Sequence, residues 1–241
     1  SRVVLGFVDG SAITGAASSV LREFSLAGVG MVVVLRWSGS SLYGTNAIGG
    51  TIDFRTPEAN SGTHGQIGGG FGGLGLGRFR GNISHGTSDG KFGITGGVSR
   101  TVYTKGIDGD DAAHNTNFQT RIDASPWAKT HISGRIFYSD ADVRLNSSPD
   151  TKGTLPTSNA TIINAQQGVN FVFDANDPDN KQKSRFFDGQ VTFTQIIGEH
   201  FGLSGYYQGL TTKRTNDNGA LGVGSQSAST SVFDGTINTA N

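Results

Sequence analysis

Residues 32–55, VVVLRWSGSSLYGTNAIGGTIDFR, decide the reading of this chain. Val32 to Leu35 is an apolar strand, followed by Arg36 and a Gly/Ser turn. A short Ser41-Leu42-Tyr43-Gly44 segment and the loop Asn46-Ala47-Ile48-Gly49-Gly50 come next, and Thr51 to Arg55 returns as a second strand. Gly44, Gly49 and Gly50 suit tight backbone turns, because glycine alone adopts positive φ without steric cost. Tyr43 reads as a packing residue.

Upstream of that stretch, Arg2 to Val8 (RVVLGFV) is a continuous apolar strand closed by Asp9-Gly10, a strong turn signal. Ser18 to Phe24 reads as a short helix capped by Ser19. Gly30 to Leu35 is expected to be a second buried strand and Thr51 to Phe54 a third. Thr56-Pro57-Glu58-Ala59-Asn60-Ser61-Gly62 reads as a linker leading out of this first region.

Downstream the period becomes two. Eight strands are expected, at 64–72, 77–86, 90–103, 116–126, 129–139, 184–197, 200–213 and 228–237. In 90–103, Phe92, Ile94, Gly96, Val98 and Val102 share one face, opposite Gly93, Thr95, Gly97, Ser99, Thr101 and Tyr103. Arg100 falls on the apolar face near a strand end, where its head can snorkel. The same alternation sets Phe118, Ile122 and Ala124 against Asn117, Gln119, Arg121 and Asp123. It also sets Phe187, Val191, Phe193 and Ile197 against Asp188, Gln190, Thr192 and Thr194.

The connections alternate as well. Short turns at 88–90, 125–128 and 198–200 are interleaved with longer polar stretches at 106–115, 141–183 and 216–227. That is the pattern of a transmembrane barrel, with short turns on one side and long loops on the other. The first long-side connection, Gly72 to Gly77, is short and departs from it. The 141–183 segment holds Ile162, Ile163, Val169, Phe171, Val172 and Phe173, and is expected to fold partly over the barrel mouth.

Composition agrees with strands and turns. The chain has 241 residues, 38 of them Gly, while charged residues make up 16%, below the usual quarter or so. Only Glu23, Glu58 and Glu199 are glutamates. A soluble sandwich would carry charge on its polar faces; these faces hold Arg, Asn, Gln, Ser, Thr and Asp with almost no Lys or Glu. Such faces fit a wet lumen or a contact with a stopper inside it. Tyr103, Trp127, Tyr138, Tyr206 and Tyr207 fall near expected strand ends, as interfacial girdles require.

Net charge is zero and the arginines are dispersed, so no basic surface for nucleic acid is expected. The absence of Cys excludes disulfides, thiolate metal sites and thiol catalysis. No apolar run reaches the roughly 18 residues of a transmembrane helix. No signal peptide is visible, and the chain reads as a piece cut at both ends.

Gly70 to Gly75 fits G-x-G-x-x-G formally, but no helix pattern follows it, so no dinucleotide site is expected. The five histidines lack zinc spacing. Asp108, Asp110 and Asp111 form one acidic loop and Asp174, Asp177 and Asp179 another; these are calcium candidates only through their oxygen-rich composition. No catalytic constellation stands out, and no cofactor is implied.

Leu35-Arg36, Ser40-Ser41-Leu42-Tyr43-Gly44-Thr45-Asn46-Ala47-Ile48-Gly49-Gly50 and Thr51-Ile52-Asp53-Phe54 closely resemble the end of the plug domain of TonB-dependent outer-membrane receptors. Val3 to Gly10 resembles that family's strand ending in Val-Asp-Gly. Trp37-Ser38 departs from the family, which has Gly-Pro after the arginine. The resemblance implies a mainly β fold: residues 1–58 as the C-terminal part of a small mixed α/β plug, and 63–241 as the first part of an antiparallel transmembrane barrel. It implies that Arg36 pairs with barrel carboxylates, with the family's glutamate partners expected beyond Asn241, and that the segment contacting TonB lies before residue 1. It further implies an outer-membrane transporter, not an enzyme, that takes up a scarce solute such as a ferric siderophore or cobalamin with energy from the TonB complex. Selectivity would lie in loops 103–115, 141–183 and 214–227 and at the apex, Ser40 to Asn46. The alternative is a secreted β-rich adhesin or passenger domain, which predicts a fixed repeat period that this sequence lacks.

Overall fold

The computed structural model describes residues 4–8, 11–12, 31–35, 50–105, 112–144, 181–218 and 229–240. These form two sheets. The smaller has four strands: β1 (Val4–Val8), β2 (Ser11–Ala12), β3 (Met31–Leu35) and β4 (Gly50–Arg55), in the order β2-β1-β4-β3. Phe7 stands opposite Ala12 and Val8 opposite Ser11, so β1 and β2 run antiparallel. β4 lies between β1, which it pairs in parallel, and β3, which it pairs antiparallel.

That order explains one departure from expectation. β3 is as apolar as a buried strand should be, yet Met31, Val32 and Val34 are exposed. It is an edge strand. The central position belongs to β4, whose Thr51, Asp53 and Phe54 are buried.

The larger sheet is an antiparallel meander of eight strands, each paired with its sequence neighbours. They are β5 (Gly62–Gly72), β6 (Leu76–Gly86), β7 (Phe92–Tyr103), β8 (Ala113–Ala124), β9 (Thr130–Arg144), β10 (Lys181–Ile197), β11 (Phe201–Asn218) and β12 (Ser229–Ala240). β5 and β12 do not pair with each other, so the sheet is an unclosed arc of a barrel with two open edges. Open edges of this length invite further pairing.

All eight expected strands are present, but several limits move. β8 spans 113–124 rather than 116–126, because Pro126 cannot donate to a ladder. β9, β10 and β11 run well past the expected 139, 184 and 213 toward the long connections. In those extensions the alternation persists, with charged residues replacing apolar ones.

The two faces of this sheet are inverted relative to a soluble protein. On β7 the apolar Phe92, Ile94 and Val98 are exposed, while Thr95 and Ser99 are buried. On β10, Phe187, Val191 and Phe193 are exposed, while Ser184, Asp188 and Gln190 are buried. The registers carry this phase across the sheet: Val98 stands opposite Phe118, Phe118 opposite Tyr138, and Tyr138 opposite Phe187. The exposed face is called outer below and the other inner. Apolar residues are not excluded from the inner face. Phe137 and Phe186 meet edge to face with ring centroids 5.9 Å apart, and Leu210 is buried beside Asp188, which has Phe137 on its other side.

Candidate functional site

Of the motif expected to carry function, Arg36, Ser40, Ser41, Leu42, Tyr43, Gly44, Asn46, Ala47, Ile48 and Gly49 lie outside the described residues, as does Trp37-Ser38. So do the helix expected at 18–24, the calcium candidates Asp108, Asp110, Asp111, Asp174, Asp177 and Asp179, and residues 145–180. Gly50 is described. It is buried with φ at 139°, a conformation closed to side-chain-bearing residues, which accounts for glycine where the motif loop enters β4.

What the structure does bring together is the exit from β4 and the wall of the large sheet. The chain leaves β4 at Arg55, whose Nε donates to Asp53 at 3.2 Å. Residues 56–60 then form an extended strap along the short-turn end of β6, β7 and β8. Arg121 of β8 holds it. Its Nη1 donates to the Thr56 carbonyl at 3.1 Å and to the Thr56 hydroxyl at 3.3 Å, and its Nη2 donates to Glu58 at 3.0 Å. Asp123, two residues along the same inner face, accepts from Arg121 Nε at 3.0 Å and Nη2 at 2.9 Å, which fixes the guanidinium plane. The Arg121 side chain is only 12% exposed, so its contacts to Thr56 and Asp123 are largely shielded from water, whereas Glu58 is exposed. Charge-assisted forks of this kind are shorter and stronger than neutral hydrogen bonds.

Two further contacts seat the strap. The Thr95 hydroxyl donates to the Pro57 carbonyl at 3.3 Å. Gly86 has no room for a side chain, since a Cβ there would press on the Asn60 carbonyl. Ser61 then bridges to Gly86, and β5 begins.

Farther from the short turns, the inner face of β9–β11 carries a buried charge pair. Arg135 Nη2 lies 2.9 Å from Asp188 Oδ2, with both side chains almost fully buried. Gln208 Nε2 donates to Asp188 Oδ1 at 2.7 Å. Taking two charges out of water costs several kcal/mol per ion, and only close geometry with added hydrogen bonds offsets it. A tight polar wall, rather than a wide wet one, is what this part of the inner face presents.

Sequence reasoning placed Arg121, Asp123 and Asp188 on polar faces without singling them out, and passed over Arg135. Arg121 and Asp123 meet two residues apart on one strand, but Thr56 and Glu58, and the Arg135 and Gln208 partners of Asp188, lie far along the chain, where no local spacing reveals them. The five histidines are not gathered. His85 meets Thr63 at 2.8 Å, His64 meets the Ser61 carbonyl at 2.9 Å, and His131 meets Ser125 at 3.2 Å.

The expected aromatic girdle is partly altered. Tyr138 sits on the outer face one row below the first charged row, Asp140 and Arg185. Tyr207 is also on the outer face, its hydroxyl donating to Asn238 at 3.3 Å. Tyr206 faces inward, because adjacent strand residues point to opposite sides. Trp127 lies exposed at a short turn.

No family model matches this sequence, and no curated protein matches it. Solved structures do. The siderophore receptor PiuA from Acinetobacter baumannii is 14% identical, with a TM-score of 0.66 over 98% of this chain and 34% of its own. The ferric-catecholate import receptor Fiu from E. coli K12 is 11% identical, with a TM-score of 0.66 over 98% of this chain and 37% of its own. The copper transporter OprC is 13% identical, with a TM-score of 0.62 over 89% of this chain and 30% of its own. This chain thus spans about a third of each. At such identities the likeness is one of fold: a small sheet followed by the opening strands of a large antiparallel barrel.

Proposed function

We propose that this chain is the plug end, residues 1–58, and the first eight barrel strands, within residues 63–241, of a TonB-dependent outer-membrane transporter. The observation that carries the reading is the inversion of the large sheet. Its apolar residues are exposed and its polar residues buried, which suits a wall with lipid outside and a stopper inside. The outer apolar stretch of β9 runs from Ile132 to Tyr138, close to the roughly 9–11 residues a tilted strand needs to cross a bilayer. In this reading the short turns face the periplasm and the long connections face outward. The full barrel would be of the 22-stranded kind.

The whole protein would capture a ferric siderophore, or a scarce solute of similar size such as cobalamin, at its outer mouth. Force from the TonB complex would then rearrange the plug. No bond in the solute is made or broken. The strap gives that process a fixed point: with Arg121 gripping Thr56 and Glu58, the last plug strand is tethered to the wall while segments before it move. The likeness to PiuA, a siderophore receptor, and Fiu, a ferric-catecholate import receptor, favours iron chelates over cobalamin.

The test uses the full-length protein in cells stripped of other siderophore receptors. Uptake of labelled ferric catecholates, ferric hydroxamates and cobalamin would be followed with and without a protonophore. Uptake of one ferric siderophore that stops when the proton gradient collapses is expected. Recovery of the protein outside the outer membrane, or uptake indifferent to the gradient, would overturn the proposal.

A further inference from the structure

Two arginines of the large sheet stand apart from its other cations. Arg78 and Arg80 lie on β6, out of phase with the exposed Phe79 and Ile83 of the outer face, so both belong to the inner face. Each is exposed, and among the described residues neither makes a hydrogen bond or an ion pair. β6 starts at Leu76, directly after the short tip 73–75, so both arginines sit near the end of the wall that bears the long connections.

Other cations of the wall are compensated. On the inner face Arg121 has Asp123 and Arg135 has Asp188. On the outer face Lys183, Arg185 and Lys213 stand 3.7, 2.9 and 3.9 Å from Asp142, Asp140 and Asp234. Among the described strands of the large sheet, Asp123 and Asp188 are the only carboxylates on the inner face, so none is left for β6.

Residues two apart on one strand face lie about 7 Å apart, close enough for like charges to repel. That repulsion is unrelieved within the sheet. Arg80 stands between Gly68 and Ser99, and Arg78 between Gly70 and Thr101, all small and neutral. A Cβ at Gly68 would come within 3.1 Å of Arg80 Nε, so the glycine lets this side chain lie low across β5. Gly70 leaves the space beside Arg78 open. A wall of one sign raises the local concentration of the opposite charge and speeds its arrival. Guanidinium groups add a planar fork that matches paired anionic oxygens.

We propose that Arg78 and Arg80 receive the solute at the outer mouth and select a ferric chelate of net negative charge over a neutral one. Such selection rests on the transporter reading and sharpens it, with charge as the criterion and β6 as its seat. That strand lies outside the loops 103–115, 141–183 and 214–227 and the apex Ser40 to Asn46, where selectivity was expected.

The test uses the full-length protein in cells stripped of other siderophore receptors. A ferric tricatecholate and a ferric tricarboxylate serve as anionic probes, and a ferric trihydroxamate as the neutral one. Binding to whole cells and proton-driven uptake are measured for each, and heat-modifiable migration shows which variants are assembled. Wild type should bind one anionic probe, and an R78Q/R80Q variant should bind it at least about tenfold more weakly, with the loss in the association rate. Added salt should slow association with wild type and change the variant little. R78K/R80K keeps the charge and should keep most of the association rate, which a merely structural role for the guanidinium groups does not predict. Should the double Gln variant fail to assemble, Arg78→Gln and Arg80→Gln are read singly, each with a smaller loss. Proton-driven uptake of the trihydroxamate in place of both anionic probes, or an assembled charge variant that binds as wild type does, would overturn the selection and leave the transporter standing. Uptake indifferent to the proton gradient would sink the transporter reading, while the binding rates still decide the role of the two arginines.

Discussion

The inner and outer surfaces of β9–β11 are made by the same strands, one residue out of phase, and they obey opposite rules. On the inner side Arg135, Asp188 and Gln190 are buried and satisfy one another or a neighbour. On the outer side Ile136, Phe187 and Val191 are exposed. A water-soluble sheet would exchange these assignments. The lesson is that period two by itself fixes which residues share a face but not which face is covered. The deciding clue is what the polar face lacks: lysine and glutamate, the residues that keep a surface in water.

The sharpest way to break the comparison is to strand a charge on the inner side. Asp188→Ala leaves the buried Arg135 guanidinium and the Gln208 amide without the carboxylate they share, and loss of one partner of a buried pair costs about 3–5 kcal/mol. Urea unfolding of the full-length protein in vesicles should show a drop of that order. A loss below about 1 kcal/mol, the range of exposed pairs, would mean that the pair is solvated.

The converse is to put a charge on the outer side. Val191→Arg, in the middle of the apolar belt, should cost about 2–4 kcal/mol by the same assay, as for a cation at a bilayer midplane. The substitution should be nearly silent if that face meets water.

A smaller effect is expected where the strap meets the wall. Arg121→Ala removes hydrogen bonds to Thr56 and Glu58 and leaves Asp123 without its partner guanidinium. Hydrogen bonds to charged groups contribute about 1.5–3 kcal/mol, and hydrogen exchange should quicken at 56–60 before it does on β9–β11. Uniform exchange across both regions would argue against a separate clamp.

The smallest effect belongs to the turn between β6 and β7. The Thr87 hydroxyl and then the Lys91 amide donate to Asp89, holding its carboxyl below its ordinary 3.8. A depressed carboxyl stabilises the fold above its unfolded pKa, and that contribution is lost as pH falls through the lower folded value. Asp89→Asn should therefore flatten the acid limb of the stability profile slightly and leave neutral stability almost unchanged. An equal loss at neutral and acid pH would assign the effect to turn geometry instead.

Much of the large sheet was legible because alternation survives in each strand. Phe92 to Val102 and Phe118 to Ala124 have the phase that the sequence pattern assigned them. The strand ends were not legible on β9–β11. There the outer positions turn from Ile and Phe to Asp140, Asp142, Lys183 and Arg185, and a search for apolar alternation stops where the belt stops, not where the ladder stops. β3 was misjudged for a different reason: an apolar run reveals strand propensity, whereas its place at a sheet edge depends on what pairs with β4. The strap clamp was invisible because Arg121 and Glu58 meet only after β7 and β8 have stacked beside the linker. Gly50, the one glycine of the motif among the described residues, opens β4 with a positive φ that a side chain would resist.

The two-faced wall can be tested at single-residue spacing, since the chain has no cysteine to interfere. Single cysteines introduced in turn at positions 186–193 of the full-length protein in bilayers would carry a spin label, whose relaxation by oxygen and by a water-soluble nickel chelate would be compared. Oxygen should dominate at Phe187, Gly189, Val191 and Phe193, and both reagents should fall to low values at Phe186, Asp188, Gln190 and Thr192. Nickel access at the odd positions equal to that of a soluble protein, or loss of the two-residue period, would contradict a wall with lipid on one side and a stopper on the other.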